Sequence, residues 1–145
     1  MKISARTEYA AIAAVEIACQ SDDDSPVRMR SICEAQQIPA RFLVHILLQL
    51  NRAGIVKSVR GAGGGYRLAK QPEEITLGEI RAAIEGPSGA PAPIAAGLAG
   101  ESHVAAALAL VWEKAAEVQA ATLERVTLAD LVQHSRGISE PMYYI

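Results

Sequence analysis

The run Val56-Lys57-Ser58-Val59-Arg60-Gly61-Ala62-Gly63-Gly64-Gly65-Tyr66-Arg67-Leu68 constrains this chain more than any other stretch. Two short β-favouring runs flank a glycine-rich turn, and Arg60 stands at the shoulder of that turn. A β-hairpin needs positive φ somewhere in such a turn, and glycine supplies it at low steric cost. Immediately upstream, residues 32–53 read as helix, turn, helix. Together these segments predict a winged helix-turn-helix, a unit built to contact DNA. The rival is a glycine-rich phosphate cradle. That cradle requires a strand, then glycines, then a helix whose N-terminus faces the anion, often with Gly-Lys-Ser/Thr. Here the glycines lead into Tyr66-Arg67-Leu68, and Pro72 follows soon after, so the sequence argues against a nucleotide-binding loop.

A net charge of −2 looks wrong for a polyanion binder until its distribution is examined. Residues 28–70 hold eight basic side chains (Arg28, Arg30, Arg41, Arg52, Lys57, Arg60, Arg67, Lys70) and one acid, Glu34. With fourteen basic and sixteen acidic residues in all, that segment carries +7 and the remainder −9. Local sign, not total charge, governs association with nucleic acid. At 145 residues the chain suffices for one small domain plus an accessory element. No apolar run is long enough to span a bilayer, the N-terminus shows no secretory pattern, and two cysteines do not make a disulfide scaffold. The expected location is the cytoplasm.

The expected fold class is mainly α with a small β-hairpin: a winged helix-turn-helix domain plus a long dimerisation helix. Residues 5–20 suit a helix with a broad buried side, through Tyr9, Ile12, Ala13, Val15, Ile17 and Ala18. Residues 21–26 form a loop, 29–36 a second helix, and Gln37-Ile38 the turn. Pro39 suits the first position of the third helix, where its missing N–H costs nothing. Phe42, Leu43, Ile46, Leu47 and Leu50 supply the inward stripe of that helix, and Gly54 fits the position just past its end. Thr76-Leu77-Gly78-Glu79 reads as a capping box opening a short helix to about residue 85. Thr127-Leu128-Ala129-Asp130 resembles a second box, with Asp in place of Glu. The organisation expected is a DNA-binding domain over 1–85, a flexible loop over 86–100, the dimerisation helix and final short helix over 101–134, and a tail over 135–145.

The long helix, 101–125, places Val104, Leu108, Val111, Ala115, Val118 and Thr122 at alternating spacings of four and three, with Trp112 beside them. That is a coiled-coil-like seam, and so long an apolar stripe beside a small domain needs a cover. Packing on its own domain is one solution; a homodimer is the favoured one.

In a helix-turn-helix the second helix enters the major groove, its N-terminal residues first. Here these are Pro39, Ala40, Arg41 and Phe42, with His45 one turn on. Arg41 can bond guanine O6 and N7 bidentately or hold a phosphate. Phe42 suits the core better than a thymine methyl, and His45 is as well explained by solvation as by a contact. On the wing, Lys57, Ser58, Arg60, Gly61, Gly64, Gly65, Tyr66 and Arg67 form the candidate surface, with the arginines suited to phosphate or minor-groove contact. Arg28 suits a phosphate at the start of the second helix. Catalytic and metal readings are poor. His45, His103 and His134 are not spaced as ligands, Cys19 and Cys33 form no CxxC pair, and no Ser-His-Asp or paired-carboxylate arrangement is legible. We expect neither an enzyme nor a cofactor.

Met1-Lys2-Ile3-Ser4, Tyr9-Ala10, Ile38-Pro39, the run from Ala53 to Gly61, Gly64-Gly65-Tyr66, Thr76-Leu77-Gly78-Glu79-Ile80 and Thr127-Leu128-Ala129-Asp130-Leu131 together resemble the Rrf2 family of bacterial transcriptional regulators. The resemblance covers nearly the whole chain. It implies a winged-helix dimer joined through the long helix and bound to a double-stranded DNA operator. Many members hold an iron–sulfur cluster through three cysteines in the loop before that helix. Residues 86–107 contain no cysteine here, and thiolates are what such a site needs. Glu8 matches a position where some members supply a carboxylate ligand; as a lone group it reads as a surface charge. Val44 stands where cluster-binding relatives often carry Glu.

Two further features resemble the family's cluster-free repressor of cysteine metabolism. Glu85-Gly86-Pro87 ends the helix before the loop, and the chain closes on Met142-Tyr143-Tyr144-Ile145. That resemblance implies a C-terminal hook entering the active site of O-acetylserine sulfhydrylase (cysteine synthase), the terminal carboxylate mimicking that of the substrate. The alternative is that Tyr143 and Tyr144 pack back on the dimer. Two alternative functions stand beside repression: binding of such an enzyme as the main task, and a thiol redox switch at Cys19 or Cys33.

Overall fold

A computed structural model describes residues 2–21, 25–86 and 93–139. Seven helices and one hairpin follow in the order α1 (Ala5–Gln20), α2 (Met29–Gln36), α3 (Ala40–Arg52), β1 (Val56–Val59), β2 (Gly65–Leu68), α4 (Leu77–Glu85), α5 (Ile94–Leu98), α6 (His103–Arg125) and α7 (Leu128–Ser139) among these residues.

The alanines of α1 make it the central helix. Ala10, Ala13, Ala14 and Ile17 are wholly buried, and α1 packs against α2, α3, β2, α4 and α7. Small side chains let several neighbours approach one axis closely. Leu43, Ile46, Leu47 and Leu50 of α3 complete the core with Ile32, Ile55, Val56, Ile75, Ile80 and Leu128. Ser4 caps α1 by accepting the Thr7 N–H at 3.2 Å. The Glu85 carboxylate, at the end of α4, accepts from the Thr7 hydroxyl at 2.9 Å and from Arg81 Nε at 3.0 Å. Desolvation pushes that carboxyl up, but the hydrogen bonds from Arg81, Thr7 and Ser4 outweigh it and hold it below the usual glutamate range.

The two threonine motifs meet in space. Thr76 and Thr127 form an antiparallel bridge, flanked by Leu77 N–H to Val126 O and Leu128 N–H to Ile75 O, both 2.9 Å. The second motif is a full capping box: Asp130 accepts the Thr127 N–H and Thr127 accepts the Asp130 N–H, which keeps Asp130 more acidic than usual. The first is half a box. Thr76 accepts the Glu79 N–H at 3.1 Å, but the Glu79 carboxylate turns to Lys70 instead.

Several expectations shift. Pro39 is the N-cap rather than the first helical residue, with φ −60° and ψ 130°, because the chain is still extended there. Phe42 lies outside the core, 39% exposed, because it sits at the edge of the stripe and stacks on Tyr9. A short helix, Ile94–Leu98, occupies part of the segment read as a loop, and α6 begins at His103, capped by Ser102. α7 runs through Gly137 to Ser139, past the point where the helical pattern fades in the sequence. A 3-10 turn at Pro72–Glu74, capped by Gln71, adds an element that the sequence pattern does not mark. Asp22, Asp23 and Asp24, residues 87–92, and the tail residues Met142 to Ile145 lie outside the described residues.

Candidate nucleic-acid interface

Helices α2 and α3 meet through a tight turn in which Gln37 takes the left-handed conformation, φ 55° and ψ 35°, and Ile38 plugs the core. α3 closes with Gly54 at φ 75°, its N–H on Asn51 O and that of Ile55 on Leu50 O. This pairing satisfies the last carbonyls and turns the chain directly into β1. With its leucines and isoleucines committed inward, α3 turns Arg41, Val44, His45, Leu48 and Arg52 outward. No side chain caps the start of α3, which leaves its first backbone N–H groups for water or a phosphate.

The wing pairs Val56 with Leu68, Lys57 with Arg67, Ser58 with Tyr66 and Val59 with Gly65. Two of its glycines are sterically required. A Cβ at Gly64 would stand 2.3 Å from Val59 O, and one at Gly65 would stand 2.5 Å from Val27 O. The second clash arises because Val27 bridges to Tyr66, exchanging two hydrogen bonds of 2.7 Å, and so adds a one-residue third strand. Arg28, next in the chain, donates to Ala62 O at 2.7 Å. The start of α2 and the tip of the wing are thereby tied together.

Lys57 and Arg67 stand directly opposite each other in the hairpin. Arg60 is exposed at the shoulder, with Gly61 beside it. Tyr66 is half-buried and packs its ring on the core, while Ser58 opposite it is exposed. The residues proposed from sequence thus fall into two adjoining groups. Pro39, Ala40, Arg41, Phe42 and His45 lie on α3 and its cap, and Lys57, Ser58, Arg60, Gly61, Gly64, Gly65, Tyr66 and Arg67 lie on the wing. Arg28, at the start of α2, is tied to the wing tip. Val44 and Leu48, 46% and 43% exposed, also face outward. Their spacing from Arg41 and Arg52 at helical period was the available signal.

The long helix behaves differently. Val104, Val111 and Val118 are 81%, 59% and 62% exposed, and Leu108 and Trp112 are also open; Ala115 is half-buried. Ile94, Leu98, Leu108 and Trp112 border an apolar groove of about 420 Å³ between α5 and α6. Cys19 and Cys33 are half-buried on different helices, and Cys19 Sγ lies 3.9 Å from Ser135 Oγ. Glu8 is exposed on the first turn of α1. Among the described residues no three His, Cys, Asp or Glu side chains converge, and residues 86–107 contain no cysteine. This donor set does not fit a cluster held by three thiolates. Among the same residues no helix is long and apolar enough to cross a membrane.

Residues 3–134 match the Rrf2 family, described as an iron-dependent transcriptional regulator. The HTH-type transcriptional regulator CymR of Bacillus subtilis is 32% identical over 146 residues, covering 100% of both chains. The solved structure of CymR, the global cysteine regulator of B. subtilis, superposes with a TM-score of 0.77 at 30% identity, covering 92% of this chain and 98% of that one. The structure of T. potens IscR gives a TM-score of 0.77 at 30% identity, over 99% and 95% of the two chains. The Synechocystis protein slr0846 is 42% identical over 85 residues, 59% of this chain and 57% of its own length, so that match spans little more than half of that relative. With the winged helix-turn-helix in place and the family matched along almost its whole length, the chain belongs to the Rrf2 family of HTH-type transcriptional regulators.

Proposed function

We propose that this regulator is a homodimeric, sequence-specific DNA-binding repressor that works without an iron–sulfur cluster. The observation that carries the reading is that Arg41, His45 and Arg52 of α3 and Lys57 and Arg60 of the adjoining wing are all exposed. α3 docks in the major groove, Arg41 reading a guanine or holding a phosphate. Arg60 and Arg67 follow the minor groove or backbone, and Arg28 adds a phosphate contact beside the wing tip.

The exposed seam of α6 supports dimerisation, because its apolar residues are not covered by their own domain. A dimer presents two such faces to half-sites about one helical turn apart on an imperfect palindrome. The test begins with selection of a duplex from a random pool by the wild-type protein. If Arg41 reads a base, Arg41→Ala weakens binding to the selected duplex by about 1–3 kcal/mol and leaves scrambled DNA little changed. If it holds a phosphate, both weaken alike and the salt dependence becomes shallower. No loss on either duplex removes Arg41 from the site.

The full-length match to CymR supports a second level of this reading: control of cysteine or sulfur genes, with the tail Met142-Tyr143-Tyr144-Ile145 binding a cysteine-synthase-type enzyme. Calorimetry with that enzyme should show binding that is lost on removal of Ile145 and competed by O-acetylserine. Equal affinity with and without Ile145 would reject the tail.

A further inference from the structure

Arg41 does not stand alone at the start of α3. Its guanidinium carbon lies 4.8 Å from the centroid of the Phe42 ring. Phe42 in turn stacks on Tyr9 of α1, with centroids 6.1 Å apart and planes 22° from parallel. At 39% exposure Phe42 is not committed to the core, so its ring is held at the surface between a cation and a second ring. Tyr9 is well anchored: its neighbour Ala10 is wholly buried, and three residues earlier Arg6 donates to Gln49 Oε1 of α3 at 2.5 Å. α1 therefore holds α3 at two places about two turns apart, one of them at the residue that carries the arginine's platform.

A solvated arginine loses much rotamer freedom when DNA fixes it. Contact with an aromatic face removes part of that freedom beforehand. Such a contact uses the π-system of the guanidinium and leaves its N–H donors for guanine or phosphate. We propose that Tyr9 and Phe42 are positioning residues: a two-ring ladder from the central helix that pre-sets Arg41 for its DNA contact. The inference rests on the reading of α3 as the recognition helix.

The test is a fluorescence anisotropy titration on the duplex selected by the wild-type protein and on a scrambled duplex of equal length. Phe42→Leu keeps apolar bulk but loses the ring. It should bind the selected duplex about three- to tenfold more weakly, with an unchanged melting temperature. Tyr9→Leu should lose affinity in the same direction, and Tyr9→Phe, which keeps the ring, should restore the wild-type value. In an Arg41→Ala background, Phe42→Leu should have no further effect. An equal loss in that background would show that the ring touches DNA itself and would overturn the positioning role. Unchanged or tighter binding by Phe42→Leu alone would overturn it too. If Arg41→Ala leaves binding intact, the recognition-helix reading falls and takes the ladder with it. If Arg41→Ala weakens binding while Phe42→Leu is silent, only the ladder falls.

Discussion

α3 and α6 are both amphipathic by sequence, yet α3 buries four of its thirteen residues and α6 buries none of its twenty-three. The surfaces they leave open also differ. α3 and the adjoining wing expose Arg41, His45, Arg52, Lys57 and Arg60 beside Val44 and Leu48, while α6 exposes a longer apolar set, Val104, Leu108, Leu110, Val111, Trp112 and Val118, among its charged residues. A helix with its apolar side already buried can offer its polar side to a polyanion without loss of fold. A helix with its apolar side open still lacks a cover, and an apolar surface recruits protein rather than nucleic acid. The contrast supports the proposed roles, α3 for DNA and α6 for a second copy of the chain.

The sharpest way to break this contrast is to place charge on α6. Leu108→Asp with Val111→Asp should turn the dimer fully into monomers in sedimentation at micromolar concentration, with the protomer still folded by circular dichroism. A wild-type monomer under those conditions would remove α6 as an interface. Next in size is the core. Leu47→Ala in α3 should lower unfolding stability by about 2–5 kcal/mol, because Leu47 is wholly buried. Val118→Ala in the monomeric background should change protomer stability by only about 0.5 kcal/mol, because Val118 is 62% exposed in the protomer. Equal losses at the two positions would erase the difference between the helices.

A smaller effect concerns Glu85, which ties α4 to the start of α1. Its pKa is lowered on folding, so its contribution is present above the ordinary glutamate range and is lost as pH falls through the lowered folded value. Glu85→Gln should cost about 1–3 kcal/mol near neutral pH and progressively less in acid, measured by denaturant melts across pH. A penalty that does not shrink in acid would contradict the assigned hydrogen bonds.

The wing was legible in the sequence because most of its requirements are local: Gly64 answers to Val59 and Gly61, a few residues away, while only Gly65 answers to a distant neighbour, Val27. The inward stripe of α3 was legible from its period. What escaped depends on neighbours distant in sequence. Phe42 satisfies the stripe, yet Tyr9 on another helix draws it to the edge. Glu79 has the spacing of a capping box, yet Lys70 takes its carboxylate. The helix at Ile94–Leu98 is hidden in a segment rich in Pro, Gly and Ala. For α6, periodicity locates the seam but cannot say what covers it, because an uncovered stripe and a covered one have the same spacing.

The central claim is that the face shared by α3 and the wing is where DNA binds. Its most direct measurement is the salt dependence of affinity for the selected duplex, for the wild type and for Arg41→Ala/Arg60→Ala. The account predicts affinity that falls steeply with salt for the wild type. It predicts much weaker binding and a shallower slope for the double variant, with dimerisation unchanged. The same affinity and slope for both proteins would contradict it.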